Sequence, residues 1–257
     1  MNLNYYSLSA LINFVASIVL GTFIYLKDRK KIVNVSFALF AWSAAAWSFA
    51  YFFWQLSTIE KTALFWSRAL MGGAIFAAIT YVHFILAVLD IVKQKKKFLI
   101  LSYIIFLIFF LFNFTSLFVK KVEPVLSFSF WPKPGLVYHI FLITWFSYLI
   151  YAAYLLIKNL KIVVDITKRV QIKFVLVAMI IAFIGGSTNY FLWYDIPIPP
   201  IGNILVSLYV VLFVYAILKH HLMNLKVIAA ERFTLAIIIV LFFNVFSAQT
   251  ANLRILY

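Results

Sequence analysis

The chain has 257 residues, of which 66% are apolar, 20% aromatic and only 11% charged, with a net charge of +15 and no cysteine. A soluble domain of this size cannot hide so much apolar surface, whereas lipid can. Without cysteine, disulfides and thiolate metal sites are excluded, and the positive charge is assigned to loops facing anionic lipid rather than to nucleic acid.

Apolar runs of about 20 residues, the length that crosses about 30 Å of hydrocarbon, recur along the chain. Eight are predicted, at 6–26, 35–56, 69–89, 98–118, 136–157, 174–194, 201–218 and, more weakly, 233–248. The first is no signal peptide, since no Lys or Arg precedes it and no small-residue cleavage site follows. The expected fold is an all-α transmembrane bundle of seven helices plus a weaker eighth. Residues 1–232 form the membrane domain, and 233–257 form an additional apolar segment and end.

Orientation follows from the basic residues. The loops after the first, third, fifth and seventh runs hold 16 Lys and Arg, and the opposite side holds six. The positive-inside rule therefore puts the N-terminus outside. The outer loops are aromatic and proline-bearing, as in FSFWPKPG (128–135) and LWYDIPIPPIGN (192–203). They read either as an interfacial aromatic belt or as a lid over a pocket opening outward. Pro199 and Pro200 stop the sixth helix from running into the seventh.

Small residues recur every fourth position at Ala69, Gly73 and Ala77, and again at Ala178, Ala182 and Gly186. That spacing lets helices approach closely in lipid. In the basic segment KNLKIVVDITKRVQIK (158–173), Ile162, Ile166 and Val170 recur with the same period, which predicts one helical face. No internal repeat is found, which argues against a carrier built from duplicated bundles.

Catalytic motifs are absent: no HExxH, P-loop, GxSxG or kinase Gly-rich loop occurs. All seven acids lie in loops or at span ends, unlike the buried acids of proton pumps. The seventh run has no Schiff-base lysine, which excludes a retinal photoreceptor. No cofactor or metal is expected. The polar residues singled out inside or at the ends of spans are Arg68, His83, Asn189 and Asn203. Each serves either an interhelical hydrogen bond or a ligand; Arg68 could also snorkel to headgroups.

Three stretches carry a family resemblance. They are NVSFALFAWSAAAWSFAYFFW (34–54), LFWSRALMGGAIFAAITYVHFIL (64–86), and the sixth and seventh helices with their exit, 169–225. Taken in order, they resemble the N-terminal seven-helix membrane region of bacterial and archaeal sensor histidine kinases. The resemblance implies a sensory input module in the cell membrane. Its N-terminus would be outside and its last helix would lead to a cytoplasmic output domain. Dimerisation is implied because such kinases act as dimers. Trp66, Arg68, His83 and Phe84 match the third-helix pattern, and Asn189, Pro199, Gly202 and Asn203 the sixth-to-seventh turn. His220 and His221 fall at the exit and lack the acid and proline context of a phosphoacceptor, so they read as a polar stop to the seventh helix.

The chain carries no kinase domain, so a piece of a longer protein is expected. A small carrier or channel and a structural membrane anchor are the alternatives. For stimulus binding the candidates are Trp66, Arg68, Asn189, Asp195 and Asn203. Helices three, six and seven would bring them together under the 192–203 connection, around a small-molecule or lipid-like ligand. Asp195 could instead pair with Arg68. His83 is expected as an intramembrane structural group.

Overall fold

The computed structural model describes residues 4–220. Within them the chain runs α1 (Tyr5–Lys27), α2 (Ile32–Gln55), α3 (Glu60–Val88), α4 (Lys96–Phe112), β1 (Val119–Val125), β2 (Phe128–Pro134), α5 (Leu136–Ile162), α6 (Ile166–Ser187), a 3-10 helix (Thr188–Tyr194) and α7 (Asn203–His220). The 233–248 run and His221 lie outside the described residues, as does the boundary proposed at 232.

Local chemistry sets several of these ends. Asn4 caps α1 through a reciprocal box: its Oδ1 accepts from Ser7 N at 2.8 Å, and Ser7 Oγ accepts from Asn4 N at 3.0 Å. Asp165 caps α6 by accepting from Thr167 N at 2.7 Å and Lys168 N at 3.3 Å. The α3 helix starts at Glu60, nine residues before the predicted run, with an acid in the first turn where the helix dipole favours it.

Among the described residues, five helices are long and apolar enough to cross a membrane: α1, α2, α3, α5, and α6 with the 3-10 helix that follows it. The protein is therefore a multi-pass membrane protein. In contrast to the predicted run 98–118, α4 has 17 residues, about 25 Å at 1.5 Å per residue. After it the chain turns into an antiparallel hairpin, with Val125 paired to Phe128 across a two-residue turn. An all-helical reading misses this hairpin.

The 158–173 segment meets expectation in part. Helix α5 does extend to Ile162 and α6 does begin at Ile166. Between them, Val163 and Asp165 are extended, which ends one helix and restarts the next. Ile166 and Val170 thus share a face of α6, while Ile162 sits on α5 and does not continue it.

Helix α3 is the hub. Ile75, Ile79, Tyr81, Val82, Phe84 and Ile85 are all fully buried along it. It lies hard against α2, where a Cβ on Gly73 would sit 2.4 Å from the Trp47 backbone nitrogen. The small-residue stripe of α3 thus serves α2, not α6 or α7. The stripe of α6 does face α7, with Gly186 3.6 Å from Val206 Cγ2 at its would-be Cβ. Helices α4 and α5 instead present Ile104, Leu107, Leu111, Ile140, Ile143 and Ile150 outward, as a lipid-facing surface requires.

Two ends of the bundle result. The basic end holds the loops between α1 and α2, α3 and α4, and α5 and α6, where Lys168 pairs with Asp90 at 3.1 Å. The opposite end holds the hairpin, the 3-10 helix and the start of α7.

Candidate functional site

A cavity of about 80 Å³ opens beneath the hairpin. Five elements wall it besides the hairpin: α2, α3, α5, α6 with its 3-10 extension, and α7. Small side chains make the room, notably Ala44, Ala74 and Ala182. Aromatic rings fill the rest. Five of the seven tryptophans of the chain, Trp47, Trp54, Trp131, Trp145 and Trp193, line it.

The hairpin forms the roof. Trp131 of β2 is fully buried and meets Trp54 edge to face at 4.8 Å between centroids. Trp54 Nε1 donates to the Phe130 carbonyl at 3.0 Å, which ties α2 to the hairpin. Lys133, whose side chain is 9% exposed, forms an ion pair with Asp195, which is 73% exposed. This pair joins the hairpin to the 3-10 segment. Asp195 adopts a left-handed backbone, φ 58°, which Asp tolerates better than most residues.

Most polar groups of the wall are satisfied. Trp145 Nε1 donates to the Ala74 carbonyl at 3.1 Å, and the hydroxyls of Tyr209 and Ser17 lie 2.7 Å apart. Three are not: the Tyr51 hydroxyl, Trp131 Nε1 and Asn189 Oδ1 are buried and lack a hydrogen-bond partner. Asn203, one step behind, accepts from Asn189 Nδ2 at 2.5 Å and leaves its own Nδ2 unpaired. The Tyr51 hydroxyl lies near Asn203 without completing a hydrogen bond. Buried polar atoms are normally paired; the Tyr51, Trp131 and Asn189 atoms belong to residues that line the cavity but themselves have almost no accessible surface, so a guest reaches them only with a small side-chain shift.

The sequence candidates divide accordingly. Asn189 lines the cavity and Asn203 backs it. Asp195 does not pair with Arg68; it holds Lys133 at the roof. Arg68 lies outside the wall, where Nη2 donates to the Val119 carbonyl at 3.2 Å and its own carbonyl accepts from Asn113 Nδ2 at 2.6 Å. Trp66 also lies outside, stacked on Phe53 at 4.8 Å between α2 and α3. His83 Nδ1 and the Tyr103 hydroxyl are 3.0 Å apart, linking α3 to α4. The five candidates therefore do not converge; the reason is that α3 turns its Arg68 face to the hairpin's first strand.

Sequence reasoning passed over Tyr51, Trp131 and Tyr209. It also missed a buried polar chain in which Asn13 Nδ2 donates to Ser48 Oγ and Ser17 Oγ donates to Asn13 Oδ1 at 3.3 Å. Through the Ser17–Tyr209 contact this chain links α1, α2 and α7. A signal existed: Asn13, Ser17 and Ser48 are polar residues within apolar runs, of the kind that hydrogen-bond across helices in lipid.

The fold and this cavity define a polytopic helical membrane protein with a small aromatic chamber at one end of its bundle. Residues 9–226 match the family described as the N-terminal 7TM region of histidine kinase, and the chain belongs to that family. The match covers the membrane-embedded N-terminal region of such kinases. Comparisons with curated proteins and with solved structures find no match.

Proposed function

We propose that the chain is the sensory input module of a two-component signalling protein, and that the chamber under the hairpin is where the stimulus acts. In this reading the N-terminus and the hairpin lie outside, the basic loops lie in the cytoplasm, and α7 carries the response to a cytoplasmic output domain. The 16-to-six division of basic residues supports the orientation.

One observation carries the coupling. Tyr209 lines the chamber, sits on α7 and has its hydroxyl 2.7 Å from Ser17 of α1. An occupant that shifts the Tyr209 ring thereby acts on the helix that leaves the bundle and on its contact with α1. A stimulus changes output only by binding two bundle states unequally, and a ring shared between chamber and exit helix supplies that difference.

The test joins this region through α7 to a histidine kinase core and measures autophosphorylation in membranes. Ala182→Leu, which fills the chamber, and Tyr209→Phe, which cuts the tie to α1, should each shift basal autophosphorylation at least threefold at equal membrane levels. Basal output unchanged in both variants would overturn the reading.

A further inference from the structure

The chamber also specifies its guest, and this step rests on the reading of the chamber as the stimulus site. We propose that the ligand is a small uncharged molecule of about one ring in size, carrying a hydroxyl, carbonyl or similar hydrogen-bonding head group.

Size comes first. The cavity measures about 80 Å³. A single water needs on the order of 10–15 Å³, and an apolar cavity of about 150 Å³ holds benzene. At about half of that benzene-holding volume, the chamber takes a guest larger than a water and no larger than a single ring, which enters with a small expansion.

Charge comes next. Among the described residues, no Lys, Arg, Asp or Glu lines the chamber. The nearby Lys133 is already paired with Asp195, and Arg68 is turned to the Val119 carbonyl. An anion would meet aromatic faces, which carry negative potential, and, among the described residues, no cation in the wall. A quaternary ammonium is the stronger rival, because aromatic faces attract it. Yet no carboxylate in the wall completes its neutralisation, and a buried charge needs a partner.

The head group follows from the orphaned atoms of lining residues, which have almost no accessible surface of their own and come within a guest's reach with a small side-chain shift. Trp131 Nε1 is a donor, Asn189 Oδ1 an acceptor, and the Tyr51 hydroxyl can be either. A guest hydroxyl can accept from one and donate to another, and a carbonyl can accept from Trp131 or Tyr51. A plain hydrocarbon would fill the chamber but leave all three unpaired.

Five tryptophans in the wall make intrinsic fluorescence a direct readout. The whole chain in nanodiscs would be titrated with phenol, cyclohexanone, toluene, benzoate, benzylammonium and tetramethylammonium. Ala182→Leu in identical nanodiscs corrects for partition into lipid. Phenol and cyclohexanone should give saturable changes absent from Ala182→Leu, with toluene at least threefold weaker and the three ions without effect.

Tyr51→Phe removes one unpartnered hydroxyl and no contact that holds the fold. It should weaken phenol about 3- to 10-fold, the loss of roughly one hydrogen bond, with thermal stability unchanged. Saturable binding of any of the ions as tight as phenol, or none by phenol and cyclohexanone, would overturn the proposal. So would toluene equal to phenol, or an unchanged phenol affinity in Tyr51→Phe. Phenol binding that leaves kinase output unmoved in the fusion would instead remove the sensory reading while leaving the ligand class standing.

Discussion

Asn189 Nδ2 donates to Asn203 Oδ1 at 2.5 Å, joining the 3-10 segment after α6 to the first residue of α7. Asn189 Nδ2 also reaches the Gly186 carbonyl at 2.9 Å, so the pair pins the sharp turn between two helices whose backbones nearly touch. A Cβ on Gly185 would lie 2.5 Å from the Gly202 carbonyl oxygen. The turn thus ties the 3-10 segment to the start of α7 beside the chamber.

Asn203→Ala removes the acceptor and leaves Asn189 with one partner fewer. Its expected cost is about 1–2 kcal/mol, within the range for an unpaired buried polar group and for interhelical bonds in membranes. Thermal unfolding in detergent measures it. A double-mutant cycle with Asn189→Ala should show coupling of about 0.5–2 kcal/mol; strictly additive losses would mean the two side chains do not act as a unit.

The Lys133–Asp195 pair is mixed in character, with the ammonium buried and the carboxylate largely in solvent. Asp195→Asn should therefore cost more than the roughly 0–1 kcal/mol of an exposed pair and less than the roughly 3–5 kcal/mol of a fully buried one. The effect should be local. Amide exchange across Val119–Pro134 should accelerate while α3 is unchanged, and Lys133→Met in the same background should restore protection. Unaltered exchange in Asp195→Asn would show that the pair does not hold the roof.

The two small-residue stripes make opposite predictions for the same substitution. Gly73→Ala drives a methyl to 2.4 Å from the Trp47 nitrogen, and overpacking of that kind costs about 1–3 kcal/mol or more. Gly186→Ala meets nothing closer than 3.6 Å, and alanine is the better helix former by up to about 1 kcal/mol. Melting temperatures in detergent should fall for the first and stay level or rise for the second. Equal effects would contradict the packing described for α2 and α3.

Orientation is checked by reporter fusions. Fusions at Lys31, Lys96 and Lys168, all at the basic end, should read as cytoplasmic, and one within the 126–127 hairpin turn as external. The reverse pattern would invert the bundle and put the chamber on the inner face.

Much of the fold was legible before any coordinates. Each of the first seven apolar runs overlaps a helix, because a stretch of about 20 apolar residues is a local property that lipid reads directly. The asymmetry of Lys and Arg and the ordered family resemblance are likewise written along the chain. The hairpin was not legible, since residues 114–118 prolong an apolar run into the turn before it, and the strand at 119–125 has meaning only beside residues 128–134. The chamber was legible only in part. Asn189 and Asn203 stood out as polar residues in greasy helices, but Tyr51, Trp131 and Tyr209 are ordinary aromatics in a chain with 51 of them. They become a site only when five elements turn particular faces inward. Arg68 shows the same limit from the other side. Its charge marks it in the sequence, while the rotation of α3 sends it to the Val119 carbonyl and away from the chamber. Hydropathy decides that a helix spans; the face it turns to its neighbours depends on close packing and hydrogen bonds between distant segments, and only the tertiary structure decides that.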